Sequence, residues 1–453
     1  MPKKNSSGRR VNLNQFIYNH VINRIAVSLY KTGPGVYNFA SKVYAKMYFI
    51  SNLIDRVATN YKKISTSNLR TIYLVSNGSS QATIKSGIGR VESFFYSQLT
   101  AKELSEFRVI TVMWNGKTFI ARDEKQVSSK SKIFFRKHLD IWNPSIDDIL
   151  FFQDVMIFGA RDKSKILSFK NKCKFVFSIY DILPITHPEW FGEYFNAAFS
   201  RYFDLAWTFA DLLVVNSEKV KNDIESYVAE KDLIFRKYHP LIKKVNLWGV
   251  ATPSPRAKKI SDEGLGENFR IFSNTDPILL LLSTVEPRKG HKELIDAAKQ
   301  AWVKGTKFNL LFVGQLGWIS ESFKTEFQDF LEIEASRAIW RNSVKDAELE
   351  ELMNVSNILV SPSLDEGYGL PLAEALQRGI PVLANGIDTY QELFGGYAVF
   401  YGPTENFDSL ENALVNIESV ISVGSNLLNT IKLPEIDSLS ELISSFEELS
   451  RSN

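Results

Sequence analysis

The sequence has a single cysteine, Cys173, so it cannot form an internal disulfide or provide a cysteine-rich zinc site. Its five histidines lack the spacing of metal ligands. The longest apolar runs, such as Ile278–Leu282, are far shorter than the roughly 20 residues of a membrane-spanning helix. No signal peptide is predicted, because Arg24 interrupts the apolar stretch after the basic start. These absences favour a reducing, cytoplasmic setting.

The composition is that of a folded protein with two or three domains. The chain has 453 residues, of which 44% are hydrophobic and 23% are charged, and a domain commonly contains about 100–200 residues. Such values exclude disorder throughout, collagen and coiled coil. The charge is uneven, because residues 1–66 contain eleven lysines and arginines but one acidic residue, Asp55. This basic segment indicates an anionic partner for the segment alone.

Strand-like apolar runs alternate with helical patterns along most of the chain. Strands are predicted at 71–75, 108–112, 149–152, 175–179, 212–215, 278–283, 309–313, 358–360, 382–384 and 398–401. Helices are predicted at 190–205, 218–227, 291–303, 320–333, 346–354, 371–378 and 390–393. The alternation predicts an α/β protein with parallel βαβ units.

A segment rich in proline, glycine and lysine, 251–267, is predicted to link two such series of strands and helices. The predicted organisation is a basic helical extension at 1–66, α/β domains at 67–255 and 265–410, and C-terminal helices at 411–453. Binding sites of open α/β sheets lie at the carboxyl ends of the strands, so a cleft between the two domains is the expected site.

The densest candidate motif lies between a predicted strand and a predicted helix of the second domain. Gly367 and Gly369 allow the backbone to approach a ligand closely, and a helix N-terminus behind them suits a negative group. Glu366 in the loop and Glu374 in the helix form a Glu-x7-Glu pair, which can reach two parts of one long polar ligand. The alternative is a plain turn followed by a solvated helix.

This motif resembles that of the retaining, nucleotide-sugar-dependent glycosyltransferases of the family-4 group, especially bacterial members that build O-antigen, capsule or similar polysaccharides. The resemblance extends over roughly residues 70–420 and implies two Rossmann-like domains facing a cleft, the GT-B fold. It implies a nucleoside diphosphate sugar as donor and a hydroxyl of a growing, often lipid-linked glycan as acceptor. No cofactor, metal or nucleic acid is expected. The resemblance implies that Glu366 positions the donor sugar, that Glu374 binds ribose hydroxyls, and that the donor also contacts Gly367, Tyr368, Gly369 and Leu370.

A second loop, at residues 283–292, supports the same family. The arginine and lysine of such a loop grip the donor diphosphate, which implies this role for Arg288 and Lys289. A guanidinium makes bidentate contacts with phosphate oxygens and an ammonium adds a compact charge, so both stabilise a departing diphosphate. The alternative is a basic turn. The sequence also lacks the Asp-x-Asp pair through which the other main glycosyltransferase fold holds a metal.

The first domain carries weaker matches to the family. Gly87 and Gly89 resemble the loop that approaches the donor phosphates, and Arg90 is a candidate contact for an anionic acceptor. Many relatives have His-Asp at the end of a later strand, where the histidine contacts the donor sugar, whereas this chain has Tyr180 and Asp181. The Tyr180 hydroxyl either replaces that imidazole or belongs to a packing aromatic.

Ser343 and Val344, ahead of the helix predicted at 346–354, resemble a family loop whose backbone contacts the nucleotide base. Two alternative functions stay open: a non-catalytic nucleotide- or sugar-binding subunit, and a nicotinamide-dependent dehydrogenase. The dehydrogenase motif needs a third glycine, and this chain has Glu92 there.

Residues 1–66 interleave cations with aromatic side chains in a helical pattern, which suits an anionic membrane surface. The expected location is therefore cytoplasmic and peripheral to the inner face of the plasma membrane. The competing interpretations are that these helices brace the first domain or mediate self-association.

Overall fold

The computed structural model describes residues 70–75, 87–101, 107–114, 119–121, 144–155, 166, 168–170, 172–231, 239–250, 272–434 and 437–451. The predicted basic extension at 1–66 and the predicted linker at 251–267 both lie outside these ranges. The chain separates into two compact units, residues 1–68 with 118–142 and residues 69–117 with 143–453. The described part of the first unit is the strand β3, Phe119–Ala121. The second unit contains both α/β domains.

The N-terminal domain of the second unit contains six parallel strands in the order β2-β1-β4-β5-β6-β7. The strands are β1 Arg70–Val75, β2 Phe107–Trp114, β4 Ile149–Phe152, β5 Lys174–Ile179, β6 Leu212–Val215 and β7 Leu241–Lys244. The helices are α1 Gly87–Ala101, α2 Leu183–Thr186, α3 Glu193–Phe209 and α4 Glu218–Glu230. The central strands β4 and β6 are buried along their whole length, as expected for a parallel sheet covered on both faces.

The C-terminal domain contains a second parallel sheet, in the order β10-β9-β8-β11-β12-β13. Its strands are β8 Ile278–Leu282, β9 Asn309–Val313, β10 Ala338–Arg341, β11 Ile358–Ser361, β12 Val382–Asn385 and β13 Val399–Tyr401. Its helices are α5 His291–Val303, α6 Glu321–Ile333, α7 Asp346–Val355, α8 Leu370–Gln377, α9 Asp388–Phe394, α10 Leu410–Val415 and α11 Ile417–Thr430. The predicted α/β class with two Rossmann-like domains is confirmed.

The last helix, α12 Ser438–Arg451, packs on the N-terminal domain. The ring of Phe446 meets that of Phe151 edge-on at 5.3 Å, and the Glu441 carboxylate accepts a hydrogen bond from the Asn246 N–H at 2.8 Å. The predicted group of C-terminal helices therefore divides, because α10 and α11 complete the C-terminal domain while α12 returns to the N-terminal one. None of the helices among the described residues combines the length and the apolar character that a membrane crossing requires.

The first residue of α5, His291, is buried in the core of the C-terminal domain. Its ring centroid lies 6.0 Å from that of Phe312 and 6.1 Å from that of Phe327. Burial, with a smaller contribution from the charge of Lys289, lowers the pKa of His291 from 6.5 to about 3. The imidazole is therefore neutral in the folded protein at every pH above about 3.

This burial predicts a loss of stability in mild acid that depends on His291. Between pH 6.5 and 3 the unfolded chain binds a proton at this histidine and the folded chain does not. The free energy of unfolding therefore decreases as the pH falls through this range. The loss approaches about 1.4 kcal/mol per pH unit inside that window. In urea unfolding, the wild-type protein should lose stability more steeply than His291→Gln as the pH decreases. Parallel curves for the two proteins would contradict the prediction.

Candidate active site

Two loops at the carboxyl edge of the C-terminal sheet bring the predicted catalytic groups together. One follows β8 and contains a 3-10 turn, Pro287–Lys289, and the other follows β11 and leads into α8. The strands β8 and β11 are parallel neighbours, so their carboxyl ends lie side by side. A backbone hydrogen bond from the Leu364 N–H to the Arg288 carbonyl, 2.8 Å long, joins the two loops.

Glu366 lies at the centre of this cluster, with 8% of its surface exposed. One carboxylate oxygen accepts a hydrogen bond from Arg288 Nη1 at 2.9 Å. The other oxygen accepts hydrogen bonds from Lys289 Nζ and from the Ser363 hydroxyl, the latter at 3.0 Å. Burial by itself would raise the pKa of Glu366, but Lys289 and Arg288 outweigh burial and lower it to about 2. The carboxylate is therefore ionised at neutral pH.

Arg288 is surrounded by further carboxylates. Its Nε lies 3.4 Å from Glu286 Oε2, and its guanidinium lies 5.7 Å from the ring centroid of Phe191. Burial would lower the pKa of Arg288, but Glu366, Asp181 and Glu286 together raise it. Burial raises the pKa of Asp181, against the opposing charge of Arg288. The site thus holds two cations whose charge is balanced by acidic side chains of the protein itself.

Two glycines of the loop after β11 stand where a side chain does not fit. A Cβ on Gly367 would lie 1.8 Å from the Tyr180 carbonyl oxygen of the N-terminal domain. Gly369 has a φ of +100°, a conformation that favours glycine, and a Cβ there would lie 2.5 Å from the Tyr390 ring. The first glycine lets the two domains meet at this loop, and the second lets the chain turn into α8.

Glu374, on α8, forms an ion pair with Arg90 on α1. Its exposed fraction is 4%, and its second carboxylate oxygen, Oε2, has no hydrogen-bond partner among the residues that the structure describes. Glu374, predicted to contact the ribose, and Arg90, predicted to contact the acceptor, are thus paired with each other across the two domains. Helix α1 begins at Gly87, so Gly87 and Gly89 lie in its first turn rather than in a loop before it.

The C-terminal domain has a recognisable family signature. Residues 267–419 match the model of the family described as Glycosyl transferases group 1. The matched segment, the group 1 segment, contains both loops of the cluster and therefore Arg288, Lys289, Glu366 and Glu374.

Curated bacterial proteins resemble half of the chain or less. The serotype-specific mannosyltransferase WbdA of Escherichia coli is 29% identical over 228 residues, which cover 50% of this chain and 27% of WbdA. The O-antigen chain mannosyltransferase RfbU of Salmonella typhimurium is 26% identical over 153 residues, which cover 34% of this chain and 42% of RfbU. The chain thus spans about a quarter to two fifths of the length of these relatives.

Solved structures share the whole two-domain arrangement. HepE of Anabaena, determined in complex with UDP and glucose, superimposes with a TM-score of 0.53 at 16% identity and covers 84% of this chain and 100% of its own. Sucrose-phosphate synthase of Thermosynechococcus elongatus superimposes with a TM-score of 0.51 at 13% identity, covering 84% of this chain and 96% of its own. The predicted GT-B fold is confirmed.

The other predicted donor contacts lie within the group 1 segment and have different structural roles. Ser343, after the edge strand β10, has a φ of 65° and is the one non-glycine residue with a positive φ in the described chain. Such backbone strain is found preferentially at functional sites. Val344 is half-buried against the core, and the half-buried Leu370 begins α8. The Tyr368 hydroxyl donates to Asn246 Oδ1 at 2.5 Å, so this residue joins the two domains.

Several polar residues of the cluster were absent from the sequence-based prediction. Glu286 and Ser363 contact Arg288 and Glu366 directly, and both lie inside the two loops that the sequence singled out. The Thr389 hydroxyl donates to the Glu366 carbonyl at 2.6 Å from α9. The first two could have been found by their proximity to the motifs, whereas no local pattern distinguishes Thr389.

Tyr180 follows β5 and turns its hydroxyl away from the cluster. The hydroxyl donates to the main-chain carbonyl of Gln153 at 2.8 Å. Burial raises the pKa of Tyr180 above its ordinary value. The Tyr180 carbonyl accepts from Asn216 Nδ2 at 3.0 Å. A contact between the Tyr180 hydroxyl and a sugar would require the bond to Gln153 to break, so the geometry favours the packing role.

This placement makes Tyr180→Phe a test of stability rather than of turnover. The substitution leaves the Gln153 carbonyl without its donor and is expected to cost about 1 kcal/mol of unfolding free energy. Sugar transfer should stay near the wild-type rate. Chemical denaturation and a transfer assay on the same preparation check both expectations. A large fall in turnover at unchanged stability would instead assign the hydroxyl to the donor sugar.

Proposed function

We propose that this protein transfers a sugar from a nucleoside diphosphate donor to a hydroxyl of a growing glycan in cell-surface polysaccharide synthesis. The observation that carries the proposal is the convergence of Arg288 and Lys289 on Glu366 within the group 1 segment. The similarity to enzymes described as mannosyltransferases supports a hexose, and mannose first, as the transferred sugar.

In this proposal Arg288 and Lys289 bind the donor diphosphate. They are half-buried cations at the carboxyl edge of a parallel sheet, with 14% and 15% of their side chains exposed, and charge-assisted bonds to phosphate oxygens are strong there. The bond between the anomeric carbon and the phosphate oxygen breaks, and the diphosphate leaves with the electron pair. The two cations stabilise that growing negative charge in place of a metal.

We propose that the transfer retains the anomeric configuration. A bond forms from the acceptor oxygen to the anomeric carbon on the face that the diphosphate leaves, and the departing phosphate accepts the acceptor proton. Glu366 orients the sugar hydroxyls, for which an ionised, well-anchored carboxylate is suited. Packing of the two domains around the site limits competing attack by water.

Glu374 is proposed to bind the ribose of the donor. A carboxylate oxygen without a partner in the described part of the chain is an acceptor for a ligand hydroxyl. Arg90 holds the other oxygen and keeps the carboxylate oriented.

The direct test of the function begins with the nucleotide. Thermal shifts with UDP, GDP, ADP and NAD identify the base, and the matching nucleotide sugars are then assayed with a lipid-linked glycan acceptor. Transfer of sugar to the acceptor is the expected result. Stabilisation by a nucleoside diphosphate without transfer from any sugar would support a binding subunit instead, and stabilisation by NAD alone would support a dehydrogenase.

The basic residues of segment 1–66 are proposed to bind an anionic membrane surface on the cytoplasmic side, close to a lipid-linked acceptor. The full chain should co-sediment with phosphatidylserine vesicles at low ionic strength and be released as salt is added, because salt screens surface attraction. A truncation that starts near Ser67 should fold, remain unbound and still act on a soluble acceptor. Absence of binding at every salt concentration, or an unfolded truncation, would identify the segment as structural.

A further inference from the structure

The loop that carries Glu366 is held from outside by the N-terminal domain. Lys219 Nζ, on α4, lies 2.9 Å from Asp365 Oδ2. The hydroxyl of the buried Ser217 donates to the Gly367 carbonyl at 3.0 Å. The two residues that flank Glu366 in the chain are therefore both bonded to the start of α4, a helix of the other domain.

Asp365 transmits this contact to the backbone of Glu366. Its Oδ1 accepts the Glu366 N–H at 2.7 Å, while its Oδ2 faces Lys219. The Glu366 carbonyl is fixed from the opposite direction by the Thr389 hydroxyl. Both main-chain polar groups of Glu366 are thereby occupied, and the side chain extends from this anchored segment to Arg288 and Lys289.

Lys219 is itself well placed to hold Asp365. Its ammonium also lies 2.8 Å from Asp223 Oδ2, one turn further along α4. The N–H groups of Glu218 and Lys219 donate to the two carboxylate oxygens of Glu392 in the C-terminal domain, at 2.8 and 2.9 Å. This carboxylate meets the positive end of α4, so the first turn of the helix is fixed to the domain that carries the loop.

We propose that Lys219 is a positioning residue for sugar transfer: acting through Asp365, it orders the Glu366 loop when the two domains are packed together. This inference rests on the proposed function. Lys219 bonds Asp365 in the loop and does not contact Glu366 itself. It can therefore affect sugar transfer only by changing the position of Glu366. The consequence is that the orientation of the sugar-binding carboxylate depends on a contact made from the other domain.

The test compares Lys219→Met with two matched controls on the same helix. Asp223→Asn removes the partner on α4 but leaves the contact with Asp365, and Lys221→Met removes a cation whose nearest carboxylate is Glu218, 3.7 Å away. Lys219→Met should lower kcat roughly tenfold or more, the loss typical of one charge-assisted contact. The affinity for the nucleoside diphosphate found in the thermal shift screen should change little. Lys219→Arg should recover most of the activity, and both controls should stay near wild type.

Amide hydrogen exchange supplies a readout that does not need activity. In Lys219→Met the amides of residues 364–369 should exchange faster than in wild type, and in the two controls they should not. Unchanged exchange together with kcat equal to that of the controls would overturn the proposal. Faster exchange in a protein for which no sugar transfer is found would support the anchoring of the loop and count against the proposed function. Asp365→Asn should lower kcat about as much as Lys219→Met does. The double variant should lose no more than either single variant, because both substitutions break the same contact.

Discussion

Replacement of both Arg288 and Lys289 by alanine is expected to reduce sugar transfer by at least a hundredfold while the protein remains folded. Each cation contributes a charge-assisted contact of roughly 1.5–3 kcal/mol to the diphosphate, and each 1.4 kcal/mol is about tenfold in rate. Each single variant should therefore lose at least roughly tenfold. The measurement is kcat and KM for the donor, with far-ultraviolet circular dichroism to confirm folding.

Three variants separate the loss of phosphate contacts from a change in Glu366. Without its cations, the buried Glu366 would have a raised pKa and an uncompensated charge, because Lys289 and Arg288 hold its pKa at about 2. Glu366→Gln alone measures how much of the lost activity comes from the change in Glu366. Arg288→Lys keeps the charge but loses the bidentate fork, so it should be intermediate. Lys292→Ala removes a 54%-exposed cation at the second residue of α5 and should leave transfer unchanged. Near wild-type turnover in the double alanine variant would remove these residues from the diphosphate site.

Substitutions of Glu374 and Glu366 are expected to impair different steps, nucleotide binding and turnover respectively. Glu374→Gln should weaken the binding of the bare nucleoside diphosphate roughly tenfold, because it removes the charged acceptor for the ribose hydroxyls. Glu366→Gln should leave that affinity within about threefold and lower kcat at least roughly tenfold, since it acts on the sugar. Isothermal titration calorimetry with the nucleoside diphosphate, and transfer kinetics at saturating donor, separate the two effects.

Arg90→Ala is the matched control for this pair. Its side chain contacts the carboxylate that is assigned to the ribose, so its removal should change nucleotide affinity less than the loss of the carboxylate itself. The opposite pattern, in which Glu366→Gln abolishes nucleotide binding and Glu374→Gln impairs only turnover, would exchange the two assignments.

The sequence predicted those elements whose pattern is local. The ten predicted strands all exist with ends within about two residues, because a strand buried on both faces needs an uninterrupted apolar run. The two parallel strands that the patterns missed, β7 and β10, are the edge strands of their sheets. Their residues are half-buried or exposed except for Ala338, and each ends on a cation, so neither contains a run that distinguishes it from a loop.

Helix ends were predicted less well where packing decides them. Helix α3 was expected to begin at residue 190, but a short 3-10 turn, Pro188–Trp190, and Gly192 as N-cap move its start to Glu193. Helix α1 begins inside the glycine motif, at Gly87. A propensity pattern does not contain the tertiary contacts that extend or shorten a terminal turn.

The sequence predicted Arg288, Lys289 and Glu366 in loops that follow strands of one α/β domain. That these two strands, β8 and β11, are neighbours and bring the three side chains together is seen in the structure. Tertiary structure alone decided the partners that come from the other domain. Arg90 pairs with Glu374 across 284 residues, and Lys219 reaches Asp365 across 146. Local periodicity specifies which face of a helix or strand is buried, but the choice of partner for a charged side chain depends on how the two sheets are placed against each other. Within the N-terminal sheet, the sequence left two roles open for the Tyr180 hydroxyl, and the position of the Gln153 main-chain carbonyl favoured the packing role.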